Sequence, residues 1–231
     1  MSDIKPITVA LDTSASPLLV AVQGNGKIVF RRRKGIKQER LLFPVLQEAL
    51  SACNATLQEV HRICIVRGPG RFTGIRIALT FASMMQYLNR ATVYGTTLFE
   101  ILRRQVEPSA SFRRFKKQYS NGVLGVVLHA FREEYFLQIF DGSDSIPVWL
   151  SREELLSRLA GYKRPLFLAG TDKEGADLTT LTDGKYPLAA SKDCRVQPQT
   201  LLSLAQDETL QTGALEPLYL KPARFELVAP L

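Results

Sequence analysis

Apolar runs and turn signals recur in the same order twice along the 231 residues, and an internal repeat constrains the possible folds more than any single motif. Ile7 to Leu11 reads as a buried strand ending at Asp12. Leu18 to Gln23 and Ile28 to Arg33 read as two further strands joined by Gly24-Asn25-Gly26, a strong hairpin signal. A helix follows over roughly Gln38 to Cys53, then a strand at Ile63 to Val66, a second helix, and a short strand at Ala91 to Tyr94. The order then restarts: Val123 to Leu128, Tyr135 to Phe140 and Ile146 to Leu150 read as strands. Ser151 and Glu154 form a capping box for a helix to about Leu159, and Pro165 to Ala169 gives another strand before Gly170.

Two successive β-β-β-α-β units predict two similar lobes, the organisation of the actin and sugar-kinase superfamily. The expected fold class is therefore α/β: an actin-like (ASKHA, ribonuclease H-like) two-lobe fold with duplicated β-β-β-α-β-α units. The expected lobes are residues 1–108 and 109–231, with the C-terminal segment packing back on the first.

Between Val66 and the second helix lies Gly68-Pro69-Gly70-Arg71-Phe72-Thr73-Gly74. Three glycines and a proline at a strand-to-helix junction predict a tight, close-approach loop. Thr73 falls where an N-cap hydroxyl would sit, and backbone N–H groups at a helix start can cradle an anion. The spacing is neither that of a P-loop nor GxGxxG. A tight structural turn and an anion cradle are both compatible with it. The candidate anion or nucleotide contacts are Gly68, Gly70, Thr73 and Gly74, with Asp12, Thr13 and Ser14 at the end of the first strand. Asp12 suits a metal or phosphate contact, or the capping of its own turn.

The first helix carries Leu41, Leu42, Val45, Leu46, Ala49, Leu50 and Cys53 at helical spacing, and Pro44 places its start near Glu39 to Arg40. The second is apolar on two faces, Ile75, Ala78, Ala82 and Met85 on one and Ile77, Phe81, Met84 and Leu88 on the other. A helix lying on a sheet needs only one such face, so the other must be covered by its neighbour helix or by another chain. The residues expected at a partner interface are Leu41, Leu42, Val45, Leu46, Ile77, Phe81, Met84, Met85 and Leu88.

Catalytic groups are sparse. The position equivalent to Asp12 in the second half is His129, so the second acid of an actin-like phosphotransferase is missing. The other histidine, His61, has no HxxxH or HExxH context, and no metal site is expected. Cys53, Cys64 and Cys194 form neither a metal-like pair nor a disulfide framework, and the start of the chain lacks a signal-peptide pattern. These features predict a cytoplasmic location without a membrane span. The charge is uneven: residues 1–121 carry 19 Lys/Arg against 7 Asp/Glu, the remainder 11 against 15. Two dense runs, Arg31 to Lys34 and Arg113-Arg114 with Lys116-Lys117, read either as solvated faces or as contacts to nucleic acid.

Ile7-Thr8-Val9-Ala10-Leu11-Asp12-Thr13-Ser14, Arg40-Leu41-Leu42-Phe43-Pro44, the Gly68 to Arg76 string and Pro217-Leu218-Tyr219-Leu220-Lys221 occur in order. Together they resemble the bacterial TsaB (YeaZ) family over the whole length, most specifically in the GPGxFTGxR string. The resemblance implies a non-catalytic subunit that pairs through its first-lobe helices with a TsaD-like paralogue as a heterodimer. That paralogue performs threonylcarbamoyl transfer to adenosine 37 of tRNAs reading A-starting codons. A TsaE-like ATPase and tRNA are further partners through the complex, with ATP or ADP and Mg at the partner subunit and no cofactor of the chain's own. When the partner is absent, a homodimer would cover the same face. Three positions depart from the family pattern: Lys37-Gln38 stands for a His-Ser pair, Arg71 for a common Ser, and His129-Ala130-Phe131-Arg132 for an Asp-Ala-Arg string. The alternative function is an ATP-dependent small-molecule kinase using Asp12 and the glycine loop. A peptidase reading lacks the histidine pair it would need.

Overall fold

A computed structural model describes residues 6–35, 37–142, 145–211 and 215–221. The start of the chain at 1–5 and the end of the second expected lobe at 222–231 lie outside the described residues. The chain divides into two compact units: residues through Ile101 with Val196–Leu218, and Leu102–Arg195 with the chain from Tyr219 on.

The first unit is built on a five-stranded sheet of order β3-β2-β1-β4-β5. Its strands are β1 Ile7–Asp12, β2 Leu18–Gly24, β3 Lys27–Arg33, β4 Val60–Val66 and β5 Thr92–Thr96. Antiparallel pairing of β1 with β2 and of β2 with β3 comes from the hairpin chain path, whose Asn25-Gly26 turn has φ of 51° and 75°. β4 and β5 pair parallel to β1 and β4 respectively, as helical crossovers require. All six residues of β1 are buried because both faces of the sheet are covered. Val9 and Leu11 point into a core shared with α1 (Gln38–Ala52) and α2 (Phe72–Asn89). Ala10 points to the opposite core, formed with Ile101 and the leucines of α6 (Pro198–Leu204).

The second unit repeats the frame with four strands in the order β8-β7-β6-β9. They are β6 Val123–Phe131, β7 Glu134–Phe140, β8 Val148–Ser151 and β9 Leu166–Thr171. α5 (Arg152–Ala160) starts with the expected capping box: the Glu154 amide donates to Ser151 Oγ at 3.3 Å and the Ser151 amide to the Glu154 carboxylate at 2.8 Å. Leu155 and Leu159 pack on one face of this sheet, while Phe167 meets Phe112 and Phe115 of α4 (Ala110–Gln118) on the other. The remaining helix, α3, spans Leu98–Val106. This α/β architecture is the actin-like, duplicated fold expected from sequence. The copies differ after their fourth strand: α2 follows β4, whereas among the described residues only a 3-10 turn at Lys173–Gly175 follows β9 directly.

Several boundaries move. β4 begins at Val60 rather than Ile63, β5 runs two residues beyond Tyr94, and Ile146 stands outside β8 as an exposed side chain. α1 begins at Gln38, which makes Pro44 its seventh residue instead of a first-turn one. At this first residue the buried Gln38 side chain donates from Nε2 to the Ala15 carbonyl at 2.7 Å. Pro44 then removes the amide that would have bonded Arg40 within the helix. Among the described residues no helix is long and apolar enough to cross a membrane.

Candidate functional site

The glycine loop is packed by the chain's own backbone. The Arg71 amide donates to the Ser14 carbonyl at 2.7 Å, and Thr13 Oγ1 donates to the Gly74 carbonyl at 2.7 Å. A Cβ on Gly70 would lie 2.4 Å from Ser14 O, and one on Gly74 only 1.9 Å from Thr13 O. Both glycines are therefore required by close approach to the turn that follows β1. On its other side the loop is tied down by the Leu98 amide on the Gly68 carbonyl and the Leu218 amide on Arg67.

Thr73 is not the N-cap. Arg71 takes that position without a side-chain cap bond, and Thr73 is the second residue of α2, exposed. With its amide bound to Ser14, Arg71 already fixes the entry of the chain, and helical geometry begins at the next residue. Asp12, Thr13 and Ser14 are buried beneath the loop. Asp12 Oδ1 accepts from the Ser14 amide at 2.9 Å and from Ser14 Oγ at 2.6 Å, so its carboxylate closes its own turn. Burial pushes the Asp12 acid above the usual carboxylate range, against the Ser14 bonds and the Arg32 charge that pull it down. Gln38 Oε1, facing the same region, is buried without a hydrogen-bond partner.

The histidines serve turns: His129 Nε2 lies 2.8 Å from the Arg132 carbonyl, and His61 Nδ1 lies 2.6 Å from Glu59 O. Among the described residues no three His, Cys, Asp or Glu side chains gather as a metal site would require.

Beside the loop, α1 and α2 enclose an open groove lined by Leu42, Phe43, Ile77, Phe81 and Met84, with Glu39, Thr73, Arg76 and Thr80 at its rim. The nine residues expected at an interface divide sharply. Leu42, Val45, Leu46, Phe81 and Met85 are core side chains, each under 5% exposed. For these five the surface reading is corrected: α1 and α2 cover each other and the sheet, with Phe81 edge-on to Phe43 at 5.9 Å. Leu41, Ile77 and Met84 are half-buried against that core, and Leu88 is 64% exposed. Three aromatic residues that the periodicity did not single out are exposed on these helices: Phe43 on α1, and Phe72 and Tyr87 on α2, the last 82% exposed. Phe72 was visible within the glycine string, but nothing in the pattern said that it turns outward, where Arg76 stacks on its ring at 5.2 Å.

A family model described as "TsaD: tRNA N6-adenosine threonylcarbamoyltransferase" matches residues 37–106, the span from α1 through α3. The protein named tRNA threonylcarbamoyladenosine biosynthesis protein TsaB from Buchnera aphidicola (Schizaphis graminum) is 28% identical over 120 residues, 51% of this chain and 53% of that protein. The chain thus spans about half the length of that relative. The Bacillus subtilis protein of the same name is 22% identical over 230 residues, 94% of this chain and 95% of its own. Among solved structures, YeaZ from Pseudomonas aeruginosa superposes with a TM-score of 0.65 at 21% identity, covering 93% of this chain and 99% of that one. That structural likeness establishes the fold. The relatives named TsaB match along both halves of the sequence, and the chain is similar to the TsaB (YeaZ) proteins over nearly its whole length.

Proposed function

We propose that the chain acts in threonylcarbamoyladenosine biosynthesis on tRNA, as the non-catalytic subunit that binds a TsaD-like catalytic paralogue. The observation that carries this reading is the open groove between α1 and α2, lined by Leu42, Phe43, Ile77, Phe81 and Met84, with Leu88 exposed one turn beyond Met84 on α2. Single exposed apolar side chains are ordinary, but an open groove with an apolar lining favours a surface that another protein covers. Fully burying an exposed side chain such as Phe43 or Leu88 would contribute about 1.5–3 kcal/mol. The family resemblance supplies the partner's identity, and the names of the relatives supply the pathway.

The neighbouring chemistry supports a supporting role over a catalytic one. The loop that opens α2 is filled by Thr13 and Ser14, and Asp12 spends its carboxylate on Ser14. ATP or ADP with Mg, a TsaE-like ATPase and the tRNA belong, in this proposal, to the assembled complex. Without the paralogue, a second copy covers the same face.

Co-purification with the TsaD-like paralogue of the same organism tests the proposal. Leu88→Glu with Tyr87→Glu is expected to abolish the association while leaving the fold intact, since both side chains are exposed. Unchanged association in that variant would overturn the interface. The kinase alternative predicts Mg-ATP binding by the isolated chain, and titration calorimetry without heat removes it.

A further inference from the structure

α4 is a helix with two different sides. Phe112 and Phe115 are buried against Phe167, at ring distances of 5.3 and 5.4 Å. The opposite side presents Arg113, Arg114, Lys117 and Gln118, all exposed. Lys116 is committed to its own helix end, donating to the Ser120 and Gly122 carbonyls at 2.7 and 2.9 Å. Arg113, Arg114 and Lys117 make no ion pair with any described residue. No Asp or Glu occurs from Pro108 to Arg132, so the three charges have no local partner in sequence either. Positions 113, 114 and 117 fall on adjoining turns of one helix surface.

We infer that this face of the second unit binds the phosphate backbone of a structured RNA directly. A phosphate backbone demands clustered, unpaired cations and no apolar surface, and arginine matches phosphate with two parallel donors. A protein partner is the poorer fit, because interface cores are apolar and depleted of charge while this face is charged and polar throughout. A membrane surface fits less well again. An interfacial helix inserts its apolar side, and here that side is consumed by Phe167. The inference stands apart from the docking role proposed for α1 and α2, since it concerns another unit and is measured on the chain alone.

The test is binding of an unmodified, transcribed tRNA to the purified full chain across a salt series, by filter retention or fluorescence anisotropy. The combined variant R113Q/R114Q/K117Q is expected to weaken binding at least tenfold and to lower the magnitude of the log K against log salt slope by about 2–3, from three lost phosphate contacts. A control with equal charge change in the first unit, K34Q/K37Q/R40Q, is expected to lose far less. All six side chains are exposed, and circular dichroism melts of both variants establish that each is folded. Absence of RNA binding by the unaltered chain overturns the inference. Equal losses in the two variants overturn it as well, since they show only diffuse attraction. So does retention by phosphatidylserine vesicles in place of RNA.

Discussion

The two units share a β-β-β-α-β frame and part company after the fourth strand. In the first, β4 runs into the glycine loop and the 18-residue α2, on whose outer side Phe72, Tyr87 and Leu88 stand exposed. In the second, β9 ends at Gly170 and Thr171 and leads into a 3-10 turn. The shared frame is what either core requires: an inner strand buried on both sides, a hairpin, and a helix closing one face. The helix after the fourth strand is where they differ. In the first unit α2 lies beside α1 on one face of the sheet; in the second, Leu178 and Leu181 join Leu155 and Leu159 of α5 on that face, and α4 covers the opposite one through Phe112 and Phe115.

Each unit nevertheless has a glycine-dependent close approach, at the start of α2 in the first and near the end of β9 in the second, and this gives the largest expected effects. A Cβ at Gly74 meets Thr13 O at 1.9 Å and one at Gly170 meets Val127 O at 1.7 Å. Gly74→Ala and Gly170→Ala are each expected to destabilise their unit by about 3 kcal/mol or more, read by denaturant titration, because backbone must move to admit the methyl group. A large loss at Gly170 with none at Gly74 would break the parallel.

Asp12 in the first unit and Glu154 in the second are held in opposite ways, and stability against pH reads the difference. Asp12, raised by burial, binds a proton more tightly folded than unfolded. Its contribution therefore grows as pH falls through its raised value toward the ordinary 3.8 and is lost as pH rises. Glu154 is lowered, first by the Ser151 amide and then by its hydroxyl, so its contribution is present above 4.5 and lost as pH falls through its lowered value. Asp12→Asn should remove the first dependence and raise stability at neutral pH in thermal melts, while Glu154→Gln should remove the second.

Smaller still is Ser151→Ala, which deletes the capping box of α5 and is expected to cost about 1 kcal/mol, seen as a lower midpoint. Least of all, Leu88→Ser on the outer face of α2 should change stability by no more than about 0.5 kcal/mol. It should nevertheless reduce self-association of the isolated chain in analytical ultracentrifugation if a second copy covers that face.

The strand order was readable because continuous apolar runs and the Asn25-Gly26 turn carry local signals. The helices α4 and α6 were not. α4 offers only Phe112 and Phe115 amid charges and reads as a basic run, and α6 has seven residues starting at Pro198, too few for a period to show. At the candidate surface the sequence showed that α2 is apolar on two sides but not which neighbour covers each. Phe81 and Met85 turned inward because α1 lies beside them, a packing outcome that periodicity does not encode. The outward turn of Phe72 and Tyr87 is equally tertiary. The glycine string was legible as a tight turn, while its filling by Thr13 and Ser14 depends on residues some sixty positions away.

That filling has a consequence for genetics. Because α2 rests on the carbonyls of Thr13 and Ser14, the attitude of its outer face is set from the end of β1. A screen for lost association will therefore recover substitutions at residues 12–14 and 70–74 alongside those on the outer surface. Such hits would mark a lever beneath the surface, and their clustering around a glycine string would be easily mistaken for the outline of a bound nucleotide.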